Sequence, residues 1–261
     1  MLYPRIIPCL LIHKNGLYKT IQFNSPKYIG DPINAVKIFN EKEVDELIVI
    51  DIDATVNRKE PDYKLIEKLA IECRMPICYG GGVKTIEQAN KIFNLGVEKI
   101  AVSSIAVENP NFISVLSNNV GKQSVVVVLD VKKNGSNYEL YTHNGKKAEG
   151  INPFLFAEQM QVAGAGEILI NSIDDDGMMK GYDEKLLNQI CHSVSIPITI
   201  LGGAGNLDDL GKAIFHSGTI GVSAGSLFVF KGKFKAVLIN YPNTEEKNQL
   251  FKKYFVDKKK Y

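Results

Sequence analysis

The run Val125-Val-Val-Val-Leu-Asp130 ends in a carboxylate, and an acid at the end of a buried strand is placed to work as a general acid or base. The alternative for Asp130 is a cap on the turn that follows. The segment Ile6-Ile-Pro-Cys-Leu-Leu-Ile-His-Lys-Asn-Gly16 matches Val125 to Gly135 at a shift of about 119 residues. Further on the shift settles at about 121, pairing Pro32 with Pro153, Glu46 with Glu167, Asp53 with Asp174, Pro76 with Pro197, and Gly81-Gly82 with Gly202-Gly203. In this register Asp130 falls opposite Leu11, which transfers no proton. A reaction that needs one carboxylate from each half has half its machinery here. Asp51, Asp53, Asp174, Asp175 and Asp176 also end strands, and Asp53 is the candidate substitute, although nothing in the sequence places it against Asp130.

Two glycine-rich turns recur with the repeat. Tyr79-Gly-Gly-Gly82 and Leu201-Gly-Gly-Ala-Gly205 each precede a helix start, at Thr85 and Asn206. Small residues let backbone N–H groups reach an anion, and a helix start adds a favourable dipole. Ser103-Ser104 completes one cradle around Gly82. Gly177, Gly225 and Ser226 complete the other around Gly203. Two cradles on opposite sides of one mouth imply an elongated, doubly phosphorylated small molecule.

The elements that position these groups alternate regularly. Apolar, β-rich runs fall at 6–12, 46–51, 77–79, 99–103, 124–131, 167–171, 198–201 and 220–223, nearly continuous as in parallel strands covered on both faces. Amphipathic stretches lie between them. Asp31 caps one that carries Pro32 in its first turn, Thr85 opens another that ends at Gly96, and Asn109-Pro110 opens a third. Eight such units predict a single α/β domain, a (β/α)8 barrel over 1–261 built from half-barrels of about 1–121 and 122–245. The irregular segments 13–30 and 132–150 follow strands one and five, on the catalytic face, and Asn134-Gly135 predicts a hairpin turn in the second.

Bulk composition narrows the class. The chain is 45% hydrophobic and 23% charged, and its net charge of +2 is too small to imply nucleic acid or a membrane as main partner. The basic end (Lys252, Lys253, Lys258, Lys259, Lys260) reads as a solvated tail. No apolar run reaches the ~20 residues of a membrane span and no signal pattern opens the chain, so a cytoplasmic protein is expected. Cys9 and Cys78 read as core thiols. Scattered histidines and cysteines predict no metal site, and no cofactor is called for.

Arg5, Glu46, Lys99 and Glu167 stand at the starts of strands one, two, four and six. From spacing alone they read as solvated ion pairs on the N-terminal rim. The whole chain from Arg5 through Phe228, however, resembles the cyclase subunit of imidazole glycerol phosphate synthase. The resemblance rests on Gly30-Asp-Pro32, Asp45-Glu-Leu47, Tyr79-Gly-Gly-Gly82, Val107-Glu-Asn-Pro110, Tyr141-Thr-His143, Gly164-Ala-Gly-Glu-Ile168, Asp176-Gly177, Gly181-Tyr-Asp183 and Gly202-Gly-Ala-Gly205. It implies a barrel paired with a glutaminase at the N-terminal face, whose ammonia crosses the barrel to an acceptor at the mouth. Two aspartates carry the family's acid–base work. The second matches Asp130 and the first falls at Leu11. Arg5, Glu46, Lys99 and Glu167 match the family's ammonia gate, and Lys19 matches a residue near the substrate. The mouth departs from the family at Asp53, Ser103, Asn171, Met178 and Leu201, where threonine, asparagine, threonine, threonine and serine are usual. That pattern resembles second-copy homologues that accompany a glutaminase and an ATP-dependent amidotransferase in amidinating a surface-polysaccharide sugar. The competing expectation is a working cyclase of histidine biosynthesis.

Overall fold

The computed structural model describes residues 4–217 and 221–255. Ile220, at the start of the last expected strand, and the tail lysines 258–260 lie outside the described residues. The apolar runs form strands β1 (Arg5–His13), β2 (Leu47–Asp51), β3 (Ile77–Gly80), β4 (Lys99–Val102), β5 (Val125–Asn134), β6 (Glu167–Ser172), β7 (Ile198–Leu201) and β8 (Gly221–Ala224). They pair in sequence order, all parallel. β8 pairs with β1, and β5 with β6 through Asn171 opposite Asp130, so the sheet closes into a ring with no free edge. This is the (β/α)8 barrel that the alternation predicts.

Strand alternation sends one set of side chains inward. Ile7, Cys9, Ile48, Cys78, Ala101, Val126, Leu169 and Leu201 fill the ring. The other set packs beneath the helices in a larger apolar layer that includes Leu10, Val49, Tyr79 and Ile100. Those helices are α1 (Pro32–Glu41), α2 (Tyr63–Glu72), α3 (Ile86–Asn94), α4 (Asn111–Val120), α5 (Pro153–Ala163), α6 (Glu184–Ser193) and α7 (Leu207–Ser217), with α8 (Thr244–Phe255) laid against α7. The expected caps are made: Asp31 accepts from the Asn34 N–H, Thr85 and Gln88 form a reciprocal capping box, and Asn206 accepts from the Asp209 N–H.

Two differences concern the mouth. Residues 13–30, expected to be irregular, form a β-hairpin of Gly16–Ile21 and Asn24–Gly30 that pairs onto the upper end of β1. Its two tight turns put Lys14, Asn15, Gln22 and Phe23 in the left-handed region, a geometry that matches strand twist but has no sequence signal in Gln-Phe. Short helices Ser104–Glu108 and Ser226–Val229 also follow β4 and β8, too brief for any periodicity to reveal. The expected hairpin after β5 is present, with β5 paired to Asn137–Thr142.

Candidate functional site

One cavity opens at the C-terminal ends of the strands. Its floor is apolar, made by Leu11, Ile50, Val128, Leu169 and Leu201. Asp130 projects into it from β5 and is its principal buried acid. Burial pushes the Asp130 carboxyl up to about 7, against a hydrogen bond from Asn171 Nδ2 (2.9 Å) and with a small push from Asp176. The group is therefore poised to hold or release a proton near neutral pH. Leu11 lines the same cavity on β1. Asp51 and Asp176 also line the cavity, their carboxyls likewise raised by burial, while the position repeat-related to Asp130 holds a leucine. Asn171 Oδ1 finds no hydrogen-bond partner among the described residues.

Asp53 is elsewhere. Its Oδ1 meets His13 Nδ1 at 2.7 Å, and its Oδ2 accepts from the Lys14 N–H at 2.8 Å. Burial would raise its carboxyl, but these hydrogen bonds hold it below the ordinary range. It clamps the turn after β1 and does not line the cavity.

The first glycine cradle opens into the cavity: Gly81, Gly82, Ser103 and Ser104 all line it. His143 and Asn144 close that side from the loop after the β5 hairpin, with the His143 N–H directed at Ser104 Oγ (3.4 Å). The second cradle is formed by Gly177, Gly203, Gly225 and Ser226 around a smaller recess beside the cavity. The repeat is visible at atomic scale. A Cβ on Gly81 (φ +121°) would stand 2.5 Å from the Asp51 carbonyl oxygen, and one on Gly202 (φ +91°) 2.6 Å from that of Ser172. Both turns require glycine for the same reason, the close crossing of the preceding strand's end.

Lys19 lies between the cavity and the second cradle. Its Nζ donates to the Cys9 carbonyl, and a Cβ on Gly225 would fall 2.2 Å from that nitrogen. Burial lowers the ammonium pKa, opposed by Asp176, whose own carboxyl is raised by burial. Asp176 accepts from Thr20 Oγ1 at 2.7 Å and so fastens the β1 hairpin over the mouth. Sequence reasoning missed Phe23, Thr55 and Asn144 as lining residues. They sit on loops whose course only the closed barrel sets.

At the opposite rim, four side chains form a closed ring. Arg5 pairs with Glu46 and with Glu167 (2.8 Å), and Lys99 pairs with Glu46 (2.9 Å) and Glu167 (3.0 Å). Thr199 Oγ1 adds a bond to Glu167. Burial works against the charge on Arg5, Lys99 and Glu167, yet the opposed partners raise the two cations' pKa values and lower that of Glu167. The spacing-based expectation of solvated pairs is corrected here: both glutamates are buried, because β1, β2, β4 and β6 converge at this rim. Between this ring and the mouth lies the apolar interior of Ile7, Cys9, Ile48, Cys78, Ala101 and Val126.

Comparison with known proteins agrees with this architecture. Residues 5–235 match the family described as histidine biosynthesis protein. A Leptospira interrogans protein, provisionally named imidazole glycerol phosphate synthase subunit HisF, is 57% identical over 96% of this chain and all of its own length. A Vibrio vulnificus protein, provisionally named subunit hisF3 of the same synthase, is 54% identical over 95% of this chain and 96% of its own. A Pseudomonas aeruginosa protein, provisionally named subunit hisF2, is 47% identical over 94% and 98% respectively. Among the described residues no helix is long and apolar enough to cross a membrane.

Proposed function

We propose a role for this chain within the histidine biosynthesis protein family, to which it belongs: it is a HisF-like, cyclase-type barrel subunit that receives ammonia from a glutaminase and passes it to an acceptor at the mouth, with little cyclase activity of its own. The observation that carries this is Leu11. The mouth keeps Asp130, Lys19 and both glycine cradles, but the position across the repeat from Asp130 is apolar and sits in an apolar floor. Loss of one group of an acid–base pair costs about 10²–10⁴ in rate. The glutaminase docks at the N-terminal face, where Arg5, Glu46, Lys99 and Glu167 form a gate. Opening it admits neutral ammonia to an interior that disfavours ammonium, since an apolar wall stabilises no charge.

In this role the acceptor is an acetamido sugar held by an ATP-dependent amidotransferase, and the product is an acetamidino sugar for a surface polysaccharide. The relatives numbered hisF2 and hisF3 support a second-copy lineage. The cradle residues Gly82, Ser103, Ser104, Gly177, Gly203, Gly225 and Ser226 bind phosphates wherever a phosphorylated ligand is used. The second reading, an imidazole glycerol phosphate synthase cyclase of histidine biosynthesis, is favoured by one observation: Asp130 remains poised near neutrality. Asp53 does not supply the missing acid in it, because its oxygens are committed to His13 and Lys14.

Steady-state cyclase turnover with saturating ammonium and the ribulosyl intermediate, for wild type and Leu11→Asp, separates the two. A slow wild type accelerated by Leu11→Asp is expected. Wild-type turnover at the rate of a biosynthetic enzyme would refute the proposed role.

A further inference from the structure

The mouth face carries a second feature that the ammonia route does not use. After β8 and its short helix, the chain forms a small hairpin of Phe230–Lys231 and Ala236–Val237. Residues 231–238 are all exposed, and Phe234 at its apex is 91% exposed. The hairpin shares a recess with Met179, Gly205 and Asn206 from the loops after β6 and β7, which fixes it on the mouth side. The β1 hairpin joins it: Lys27 Nζ lies 4.9 Å from the Phe230 ring centroid and 3.4 Å from the Lys235 carbonyl. Exposed Val237 and Leu238 continue the apolar surface.

The charge on the hairpin and on the strand that carries Lys27 has one sign. Lys27, Lys231, Lys233 and Lys235 are exposed, and none is in a salt bridge among the described residues. The sequence has no Asp or Glu before Asp31, and none between Asp209 and Glu245. Helix α8 runs up the side of the barrel beside this face. Near its start Lys247 bonds Asp45, whose other oxygen accepts from the Ile6 N–H at the base of β1. Near its end Lys253 bonds Asp208, in the first turn of α7 at the mouth. The helix thus runs from base to mouth.

We propose that this face, led by Phe234 and the lysines of the 230–237 hairpin, docks the protein on an anionic membrane surface. Lysines interleaved with exposed aromatic and aliphatic side chains are the composition of an interfacial element: the rings enter the headgroup layer while the ammonium groups meet lipid phosphates. The patch contains no arginine, whereas protein–protein contacts are enriched in arginine and depleted in lysine. It is an exposed tip whose polar side chains are all lysines, suited to a diffuse anionic plane rather than a shaped partner. None of residues 230–237 lines the central cavity, so the mouth stays open to a partner that presents the acceptor, and the opposite rim stays free for the glutaminase.

Flotation of the full chain with vesicles tests this. Wild type floats with vesicles of one part phosphatidylglycerol to two parts phosphatidylcholine, not with phosphatidylcholine alone, and high salt releases it. The triple variant Lys231→Ala/Lys233→Ala/Lys235→Ala binds about a hundredfold more weakly, from about 1 kcal/mol per lysine. Phe234→Ser binds more weakly and keeps its salt dependence. Lys64→Ala/Lys68→Ala, on the exposed face of α2, binds as wild type does. All altered side chains are exposed, and circular dichroism verifies folding. The proposal is overturned if wild type ignores anionic vesicles, if the triple variant binds equally well, or if the α2 control loses as much. A triple variant that loses a protein partner, with wild type indifferent to vesicles, would assign the face to protein contact instead. None of these readouts depends on cyclase activity or ammonia transfer.

Discussion

Asp130→Asn isolates the proton of the buried carboxyl that β5 projects into the cavity. In the fold, burial holds the carboxyl at about 7, against 3.8 for the exposed group. Its folded value lies above its unfolded one, so the folded state binds more protons between these limits. Stability attributable to Asp130 is then full below about pH 4, falls as pH rises toward 7, and is level above. A separation of about three pH units at about 1.4 kcal/mol each gives up to about 4 kcal/mol lost across the window. The substituted side chain would still accept from Asn171 Nδ2 through its amide oxygen. Its buried amide nitrogen adds a cost of about 1–3 kcal/mol, the same at every pH. The diagnostic is therefore the slope and not the offset. Urea unfolding of both proteins from pH 4.5 to 8.5, which spans most of that window, should show the variant gaining on wild type by up to about 3 kcal/mol, with the change nearly complete by pH 7.5. A stability difference independent of pH, or one that moves against the variant as pH rises, would refute the assignment of a buried, largely protonated Asp130.

Other expectations follow from the same contacts. Glu167→Gln leaves Arg5 and Lys99 under-compensated at a partly buried ring, and should cost about 3–5 kcal/mol in urea unfolding. Gly81→Ala and Gly202→Ala each force a Cβ against a carbonyl oxygen at positive φ and should cost at least about 2 kcal/mol. Gly150→Ala, with φ +66° and nothing within 4 Å, should cost about 1–2 kcal/mol from conformation alone. Equal losses at all three glycines would remove the steric argument. Thr85→Ala breaks the capping box of α3 and should lower stability by about 1 kcal/mol, read from the same transition.

What residue order reveals here is what short-range chemistry controls. Apolar runs bounded by glycine and proline are enough to mark β1 to β8, because a strand covered on both faces leaves no alternation to misread. Asp31, Thr85 and Asn206 mark helix starts because a short polar side chain satisfies N–H groups three residues away. The vacancy at Leu11 is visible in the repeat. What lay beyond the sequence depends on approach across the ring. Nothing near Asp53 in sequence points to His13, 40 positions away. The burial of Lys19 against Gly225 needs the β1 hairpin, whose Gln22-Phe23 turn follows no residue preference. The rim residues read as solvated pairs until closure of the ring put Arg5, Glu46, Lys99 and Glu167 within hydrogen-bonding distance of one another. The lysines of residues 27 and 231–235 are far apart in sequence and read as ordinary surface charge. Local preference decided which residues sit at strand ends. Barrel closure decided which of those ends meet, since contacts between distant residues are set by the geometry of the ring and not by any neighbour in the chain.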